Sequence, residues 1–437
     1  MKLLQTSDLH LGRRRLDGRL PDSDLAEAFA FIAEQAIQER VDALLLAGDC
    51  FDKPQVEPPH LRQAQRVLGR LKQAGIPVIA IEGNHDKAFV HSDAPTWVHY
   101  LAEDGLLTLL RTPFDADGPV LAPWDPAART GAYLDLGGVR FVGAGYLGAA
   151  TPHKVRELAD RLEPDRAHVL LLHAGPDYFV GEGGGFSGED LRAVHEKVCY
   201  LALGHIHKPM VHGDWACNAG SPENCDLREA GYDLDRTGAP TGRGYALVEL
   251  DPLNRNAPAA LAVRSNPRRP VHSLVLDCTP FGNKLKDGAS ALVRAAVAAI
   301  RAAGCAPAAV IDLKLTGRLN LARIALDQAL AATEIEQAAQ VTAVALDASG
   351  LNLDGAALPG LDQPAQPTRE LLERAAILQV VGSRNLFGLE GQDPAFAALF
   401  YELKEGVRAG WGGDELAEHL GRSPLVDRIL AAREEQL

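Results

Sequence analysis

No segment of this sequence stays apolar for the roughly 20 residues that a membrane-spanning helix requires, so no membrane association is expected. The opening Met1-Lys2-Leu3-Leu4 turns polar at once and is too short for the apolar core of a signal peptide. A soluble, cytoplasmic protein is therefore expected. Cysteine is scarce. Cys50, Cys199, Cys217, Cys225, Cys278 and Cys305 form no C-x-x-C pair, which speaks against a disulfide framework or a zinc ribbon. They read as reduced core residues. Also missing is G-x-x-x-x-G-K-[ST], so the chain is not expected to be a P-loop ATPase by itself. Nor is there an excess of positive charge. The net charge is −14, the opposite of the overall footprint of a nucleic-acid binder. Bound cations or a local arginine cluster can reverse the field at one site, so this balance does not decide the substrate.

What is present is ample apolar material: 46% of 437 residues are hydrophobic, enough for two or three domains with real cores. Up to about residue 270, short apolar runs alternate with amphipathic ones. Strands are expected at 2–6, 43–46, 77–82, 139–142, 169–172, 200–203 and 245–250. Helices are expected at 23–40, where Leu25, Phe29, Ile32, Ala36 and Ile37 recur at helical spacing behind a Ser23 or Asp24 cap, and at 59–74, ended by Gly75. Continuous apolar strands imply sheets covered on both faces. From 271 to 350 a small α+β module follows, with strands at 271–276 and 310–315 and helices at 289–303 and 322–332. Residues 351–367 are rich in Gly, Pro and Asp and read as a linker. Residues 368–437 read as helices, with Leu371, Leu372, Ala375, Ile377 and Leu378, then Phe396, Leu399, Phe400 and Leu403, on their apolar faces.

Five short motifs stand where predicted strands end: Asp8-Leu9-His10, Gly48-Asp49-Cys50-Phe51-Asp52, Gly83-Asn84-His85-Asp86, His173, and Gly204-His205-Ile206-His207. In open α/β sheets the carboxyl ends of strands converge on the ligand crevice, so ligands about 200 residues apart in sequence can meet. Side chains in Asp-x-His and His-x-His alternate along an extended segment. Both can face one ion only where the strand has ended or twists. The glycines before Asp49, Asn84 and His205 permit sharp turns and close backbone approach. Carboxylate, imidazole and amide oxygen together suit manganese, iron or zinc rather than calcium. A shared carboxylate can hold two cations roughly 3.5–4 Å apart, as in two-metal hydrolases. Each motif alone has an ordinary explanation: a turn for Gly-Asn-His-Asp, a buried core histidine for His173. Their joint occurrence at five strand ends does not.

At these motifs the sequence resembles the calcineurin-like metallophosphoesterase superfamily. Its opening, from Met1 to Gly12, and the flanks of the second and third motifs most resemble the nuclease subunits of SbcCD-type complexes, bacterial relatives of the double-strand-break repair nucleases. The resemblance covers residues 1–270; the module after 270 matches that family's capping domain only by position and size. It implies a four-layer αββα sandwich with a small capping domain and a helical C-terminal tail. It implies that Asp8, His10, Asp49 and His207 hold one metal and that Asp49, Asn84, His173 and His205 hold the other, with Asp49 bridging. His85 would act near the scissile phosphate without binding metal, and the Asp52 carboxylate would orient it. The implied cofactors are two divalent ions, Mn2+ in first place. The implied partners are DNA, a coiled-coil ATPase of the SbcC type, and a second copy in a homodimer.

The expected activity is a manganese-dependent DNA exo- and endonuclease processing ends or hairpins. The alternative is a phosphomonoesterase or cyclic-nucleotide phosphodiesterase of the same superfamily; a scaffold with a dead site is a third reading that the complete ligand set disfavours. Asp52-Lys53-Pro54 stands where the protein phosphatases of this superfamily have Asp-Arg-Gly, which removes their phosphate-gripping arginine. Arg13, Arg14 and Arg15, together with Arg264, Arg268 and Arg269, are the candidate contacts to a DNA backbone.

Overall fold

The computed structural model describes residues 1–87, 95–181, 184–232, 234, 241–280, 288–318, 327–352 and 393–426. The chain divides into two units, Met1–Arg269 and Pro270–Leu437.

The first unit is built on two six-stranded sheets. One runs, in spatial order, Ala260–Ser265, Gly244–Glu249, Lys2–Thr6, Ala43–Ala47, Val78–Ile81 and Thr108–Leu109. The other runs Met210–His212, Ala216–Asn218, Tyr200–Gly204, Ala167–His173, Val139–Gly145 and Tyr133–Leu136. The central strands of both are parallel and buried along their whole length, which is why they read as continuous apolar runs. Their two faces still differ. Leu3, Leu45, Ile79 and Ile81 of the first sheet meet Phe141, Val169, Leu171 and Ala202 of the second. The alternate residues Leu4, Leu44 and Leu46 face the other way, onto Phe29, Ile32, Leu68, Leu71 and Leu101 from helices Ser23–Gln38, Pro58–Gln73 and Trp97–Glu103. Behind the second sheet, Leu170, Leu172 and Leu203 pack on Val155, Leu158 and Val194 from helices Thr151–Asp160 and Gly188–His195. The period-two alternation of a strand thus yields helix, sheet, sheet, helix: the αββα sandwich expected from the sequence. Each Leu or Ile so buried stabilises the fold by roughly 1.5–3 kcal/mol.

One local expectation fails. Neither Ser23 nor Asp24 caps the first helix: the cap position is Asp22, with no side-chain capping bond. The Asp24 carboxylate is instead taken by Arg15 and Arg269, and three charge-assisted bonds outweigh one cap.

The second unit contains a parallel three-stranded sheet, Val271–Asp277, Val310–Arg318 and Ala343–Asn352. Helices Gly288–Ala302 and Gln328–Ala339 bury Leu292, Ala296, Ile300 and Ile335 against Ile311, Leu313, Leu315 and Val344. The third strand was not foreseen and takes up Leu351 and Asn352, assigned above to the linker. Its sequence, AVALDASGLN, is poor in β-branched and aromatic residues. The rest of that linker, Leu371, Leu372, Ala375, Ile377 and Leu378 lie outside the described residues. Beyond them, helices Asp393–Arg408 and Gly413–Gly421 bring Leu399, Leu403 and Leu420 together with Leu425 and Val426 from the segment that follows. Among the described residues no helix is long and apolar enough to cross a membrane.

Candidate active site

The pairing of the Lys2–Thr6 and Ala43–Ala47 strands continues past their ends and sets the first two motifs side by side. The Asp8 amide donates to Gly48 O at 3.0 Å and the His10 amide to Asp49 O at 3.1 Å. In the second sheet His173 lies directly opposite Gly204, which brings it next to His205. The strand alternation that would send these side chains apart is broken by the backbone itself. Asp8 (φ 55°), His10 (φ 46°), Asp49 (φ 52°) and His205 (φ 88°) all have positive φ. Few residues other than glycine adopt such φ values, and each costs of order 1–3 kcal/mol.

The glycines serve close approach. A Cβ on Gly83 would stand 2.0 Å from Asp49 Oδ1, one on Gly48 would stand 2.3 Å from His173 Nδ1, and one on Gly204 would stand 2.1 Å from Ala47 O. All three positions hold the two sheets' loops at van der Waals distance around the ligands.

At the centre, Asp49 Oδ2 is 3.2 Å from His173 Nε2 and 3.7 Å from His10 Nε2. Asn84 Oδ1 lies 3.2 Å from His173 Nε2 and 2.9 Å from His205 Nδ1. His207 Nε2 is 3.0 Å from His10 Nε2 and 4.0 Å from Asp8 Oδ1. Asp8 accepts from the His205 amide at 3.1 Å. Asp8, His10, Asp49 and His173 are almost wholly buried, whereas Asn84, His85, His205 and His207 are partly exposed, so the cluster is deep on one side and open on the other.

Electrostatics follow from this crowding. Burial opposes charge on Asp49, but His173 and His10 hold its carboxyl well below the usual carboxylate range. Burial likewise opposes charge on His173, yet Asp49 raises it to about 9. His205, buried beside His173, is pushed down to about 4. His207 rises to about 11 because its contacts to Cys225 and Glu229 outweigh burial. Asp86, buried near the Asp49 charge, goes up to about 7.

Do these residues fit metal ions? The reactive atoms of Asp8, His10 and Asp49 lie within 4.8 Å of one another. Two carboxylates, an amide oxygen and four imidazoles converge, and His10 and His207 present ring nitrogens to each other. So many acceptors at such distances are mutually compatible when cations stand among them, and the mixed oxygen and nitrogen set suits a transition metal.

Residues 1–209 match the family model of the calcineurin-like phosphoesterases. The chain carries a calcineurin-like metallophosphoesterase domain. It is also similar to three curated proteins, each described as a DNA double-strand break repair protein Mre11. The relative from Aeropyrum pernix is 28% identical over 64% of this chain and 65% of its own length. That from Sulfurisphaera tokodaii is 31% identical over 57% and 59%, and that from Archaeoglobus fulgidus 30% identical over 53% and 52%. The chain thus spans about half to two-thirds of the length of the curated relatives it matches.

Within the metallophosphoesterase domain all seven expected ligands come together. His85 stands beside them, its ring edge-on to His10 at 4.7 Å, and its amide donates to Asp49 Oδ1 at 2.8 Å. The expected contact from Asp52 needs correction. His85 Nδ1 donates to the main-chain oxygen of Asp52 at 2.8 Å, while the Asp52 carboxylate faces Arg13 at 2.9 Å and His10 Nδ1 at 3.4 Å. The arginine charge holds the carboxylate, so only the carbonyl is left for His85.

The arginines separate in the same way. Arg13, Arg14 and Arg15 all line a cavity of about 440 Å³ with Asn224, Asp226 and Arg228, but they differ in exposure and partners: Arg13 bonds the Asp52 carboxylate beside the cluster and Arg14 is exposed. Arg15 is buried, bonded to Asp24 at 2.8 Å and 3.6 Å from Glu223. It is a structural ion-pair residue, not a surface contact. Arg269 is bonded to Asp24 and Arg268 to Arg243 O, while Arg264 is exposed on an outer strand.

Three neighbours of the site were assigned no role from the sequence, although Asp86 closes the third motif. The Tyr146 ring is 5.4 Å from that of His205. Asp86 accepts from the Gly83 and Phe51 amides at 2.9 and 3.0 Å and ties the second motif to the third. Glu229 bonds His207 Nδ1 at 2.6 Å.

Proposed function

We propose that the chain is a two-metal phosphodiesterase acting on DNA, a manganese-dependent nuclease that works on ends or hairpins in double-strand-break repair. The observation that carries the reading is the convergence of Asp8, His10, Asp49, Asn84, His173, His205 and His207 on one open-sided cluster, with Asp49 at its middle. Its DNA substrate rests on the likeness to the three repair proteins. Asp8, His10, Asp49 and His207 would hold one ion, and Asp49, Asn84, His173 and His205 the other. Bound there, the ions would polarise a phosphodiester and lower the pKa of an attacking water.

The chain's own groups supply the rest. His173 donates Nδ1–H to Ala47 O at 2.7 Å, which commits Nε2 to the cluster. His85 gives its Nδ1–H to the Asp52 carbonyl, which fixes the ring and leaves Nε2 to face the substrate; with the ring doubly protonated, Nε2–H would pass its proton to the leaving oxygen. Arg13, anchored on Asp52 and on Cys225 O, and Arg14 lie where a phosphate backbone would enter.

The test is purified protein, with and without Mn2+, on labelled linear duplex and hairpin DNA, and in parallel on p-nitrophenyl phosphate. Cleavage of DNA with Mn2+ supports the reading. Hydrolysis of the small ester alone would favour the phosphatase alternative. Residues 368–437 are proposed to dock a coiled-coil ATPase of the SbcC type, and the working form is proposed to be a homodimer. Deleting residues 368–437 should abolish co-purification with that ATPase and leave Mn2+-dependent cleavage in place. Retained binding would refute the docking role.

A further inference from the structure

We propose that Glu229 is a positioning residue for the ion held by His207, with Arg243 as its fixed support; the inference rests on the metal-dependent reading above.

An imidazole binds an ion only through a nitrogen whose lone pair faces it. His207 has two nitrogens and a ring that can rotate. The ring is held from behind. Glu229 Oε1 lies 2.6 Å from His207 Nδ1, and Nε2 is thereby turned toward His10 Nε2 and Asp8. Glu229 is itself immobilised and 6% exposed. Its Oε2 accepts from Arg243 Nη2 at 2.8 Å, from the Cys225 amide at 2.9 Å and from Ser221 Oγ at 3.4 Å. Arg243 is wholly buried and also donates to Asn224 Oδ1, Ser221 Oγ and Glu229 O. The carboxylate therefore has one geometry, and so does the ring.

The two halves of the site differ in this respect. His173, in the other half, is oriented by a neutral backbone carbonyl, Ala47 O. His207 is oriented by a carboxylate, which makes the imidazole a better electron donor as well as fixing it. Loss of such a partner typically weakens metal binding 10–100-fold. The consequence is site-selective: weakening Glu229 weakens the ion on His207 and spares the ion on His173.

The alternative role for Glu229 is to neutralise buried Arg243. That role affects the fold, and with it both ions alike. The test is an Mn2+ titration of the full chain followed by electron paramagnetic resonance, with thermal melting measured on the same metal-free samples. Wild type is expected to take up two ions. Glu229→Gln keeps the side-chain shape and removes the charge. It should bind one ion with wild-type affinity and the other about tenfold more weakly. Glu229→Ala should widen that gap toward 100-fold. Two ions bound by Glu229→Gln with wild-type affinities would overturn the inference. So would equal weakening of both ions together with a lowered melting temperature. Should wild type itself bind no pair of ions, the two-metal reading falls and takes this inference with it.

Discussion

Gly83→Ala tests whether close packing around Asp49 sets the activity. Gly83 has no positive φ, so alanine meets no backbone strain and the whole effect is steric. The added Cβ would stand 2.0 Å from Asp49 Oδ1, 2.6 Å from its Cγ and 2.5 Å from its amide nitrogen. Ordinary contact begins at 3.4 Å, so the carboxylate must retreat by roughly 1.4 Å in an interior that is close-packed. That movement breaks its bond from the His85 amide at 2.8 Å and changes its 3.2 Å approach to His173. A misplacement of about 1 Å at a reacting centre costs on the order of 100-fold in rate. Overpacking of this kind also costs about 1–3 kcal/mol of stability. The assay is Mn2+-dependent cleavage of linear duplex DNA, with thermal melting as the control for folding. A folded Gly83→Ala protein with wild-type turnover and wild-type Mn2+ affinity would refute the claim that this contact positions Asp49.

Asp49→Asn removes charge from the proposed shared ligand; it should lower cleavage by orders of magnitude and weaken both ions, and near-normal Mn2+-dependent activity would exclude a bridging role. His85→Ala should lose turnover while an Mn2+-soaked crystal still shows both ions; an empty site would make His85 a ligand. Chelation should lower the melting temperature of wild type by removing a linkage contribution of about 2.7 kcal/mol per site at 100-fold excess over Kd, and calorimetry with and without chelator reads this directly. Asp24 is partly opposed by burial, but Arg269 and Arg15 hold its carboxyl below the usual range. Its contribution is therefore fully present above about pH 4 and lost as pH falls through the depressed folded value. Asp24→Asn removes one of the two carboxylates beside buried Arg15, which keeps Glu223 and the Pro21 and Asn224 carbonyls, and should cost about 1–3 kcal/mol at pH 7. The gap to wild type should narrow in urea titrations below pH 4, and a gap constant down to pH 3 would contradict the ion-pair account.

The clustered residues were legible because two independent patterns coincide at them. ALLLA at Ala43–Ala47 and the all-apolar run before His173 announce buried strands, and the residues that follow are the few types that bind cations well. Glu229 was not legible. It ends a short 3₁₀ turn, Leu227–Glu229, and nothing in its spacing from His207 distinguishes it from any surface glutamate. The triple arginine misled in the opposite direction. Arg13, Arg14 and Arg15 look alike in sequence, yet Arg15 turns inward because Asp24, Glu223 and the Asn224 carbonyl wait there. Such long-range partners leave no periodic mark. Nor could residue types reveal that Asp52 meets His85 through its carbonyl, since every residue carries one.

Local preference and the site conflict most plainly at Asp8, His10, Asp49 and His205. Asp and His tolerate left-handed backbone better than most residues do, but neither escapes its cost. Four such residues in one cluster cost on the order of 4–12 kcal/mol if each costs 1–3, comparable to the whole net stability of an ordinary domain. The surrounding structure must therefore impose them. It does so through the pairing that carries the two parallel strands past their ends, Asp8 to Gly48 and His10 to Asp49, and through the glycines that let the facing loops close in. These devices are rooted in the two central strands, whose residues Leu3, Leu45, Leu4 and Leu46 are fully buried on both faces. The strain is thus spread over the part of the fold with most burial to oppose it. A ligand cluster carried on mobile loops would relax toward ordinary φ values and point its side chains apart; on these strand ends it cannot.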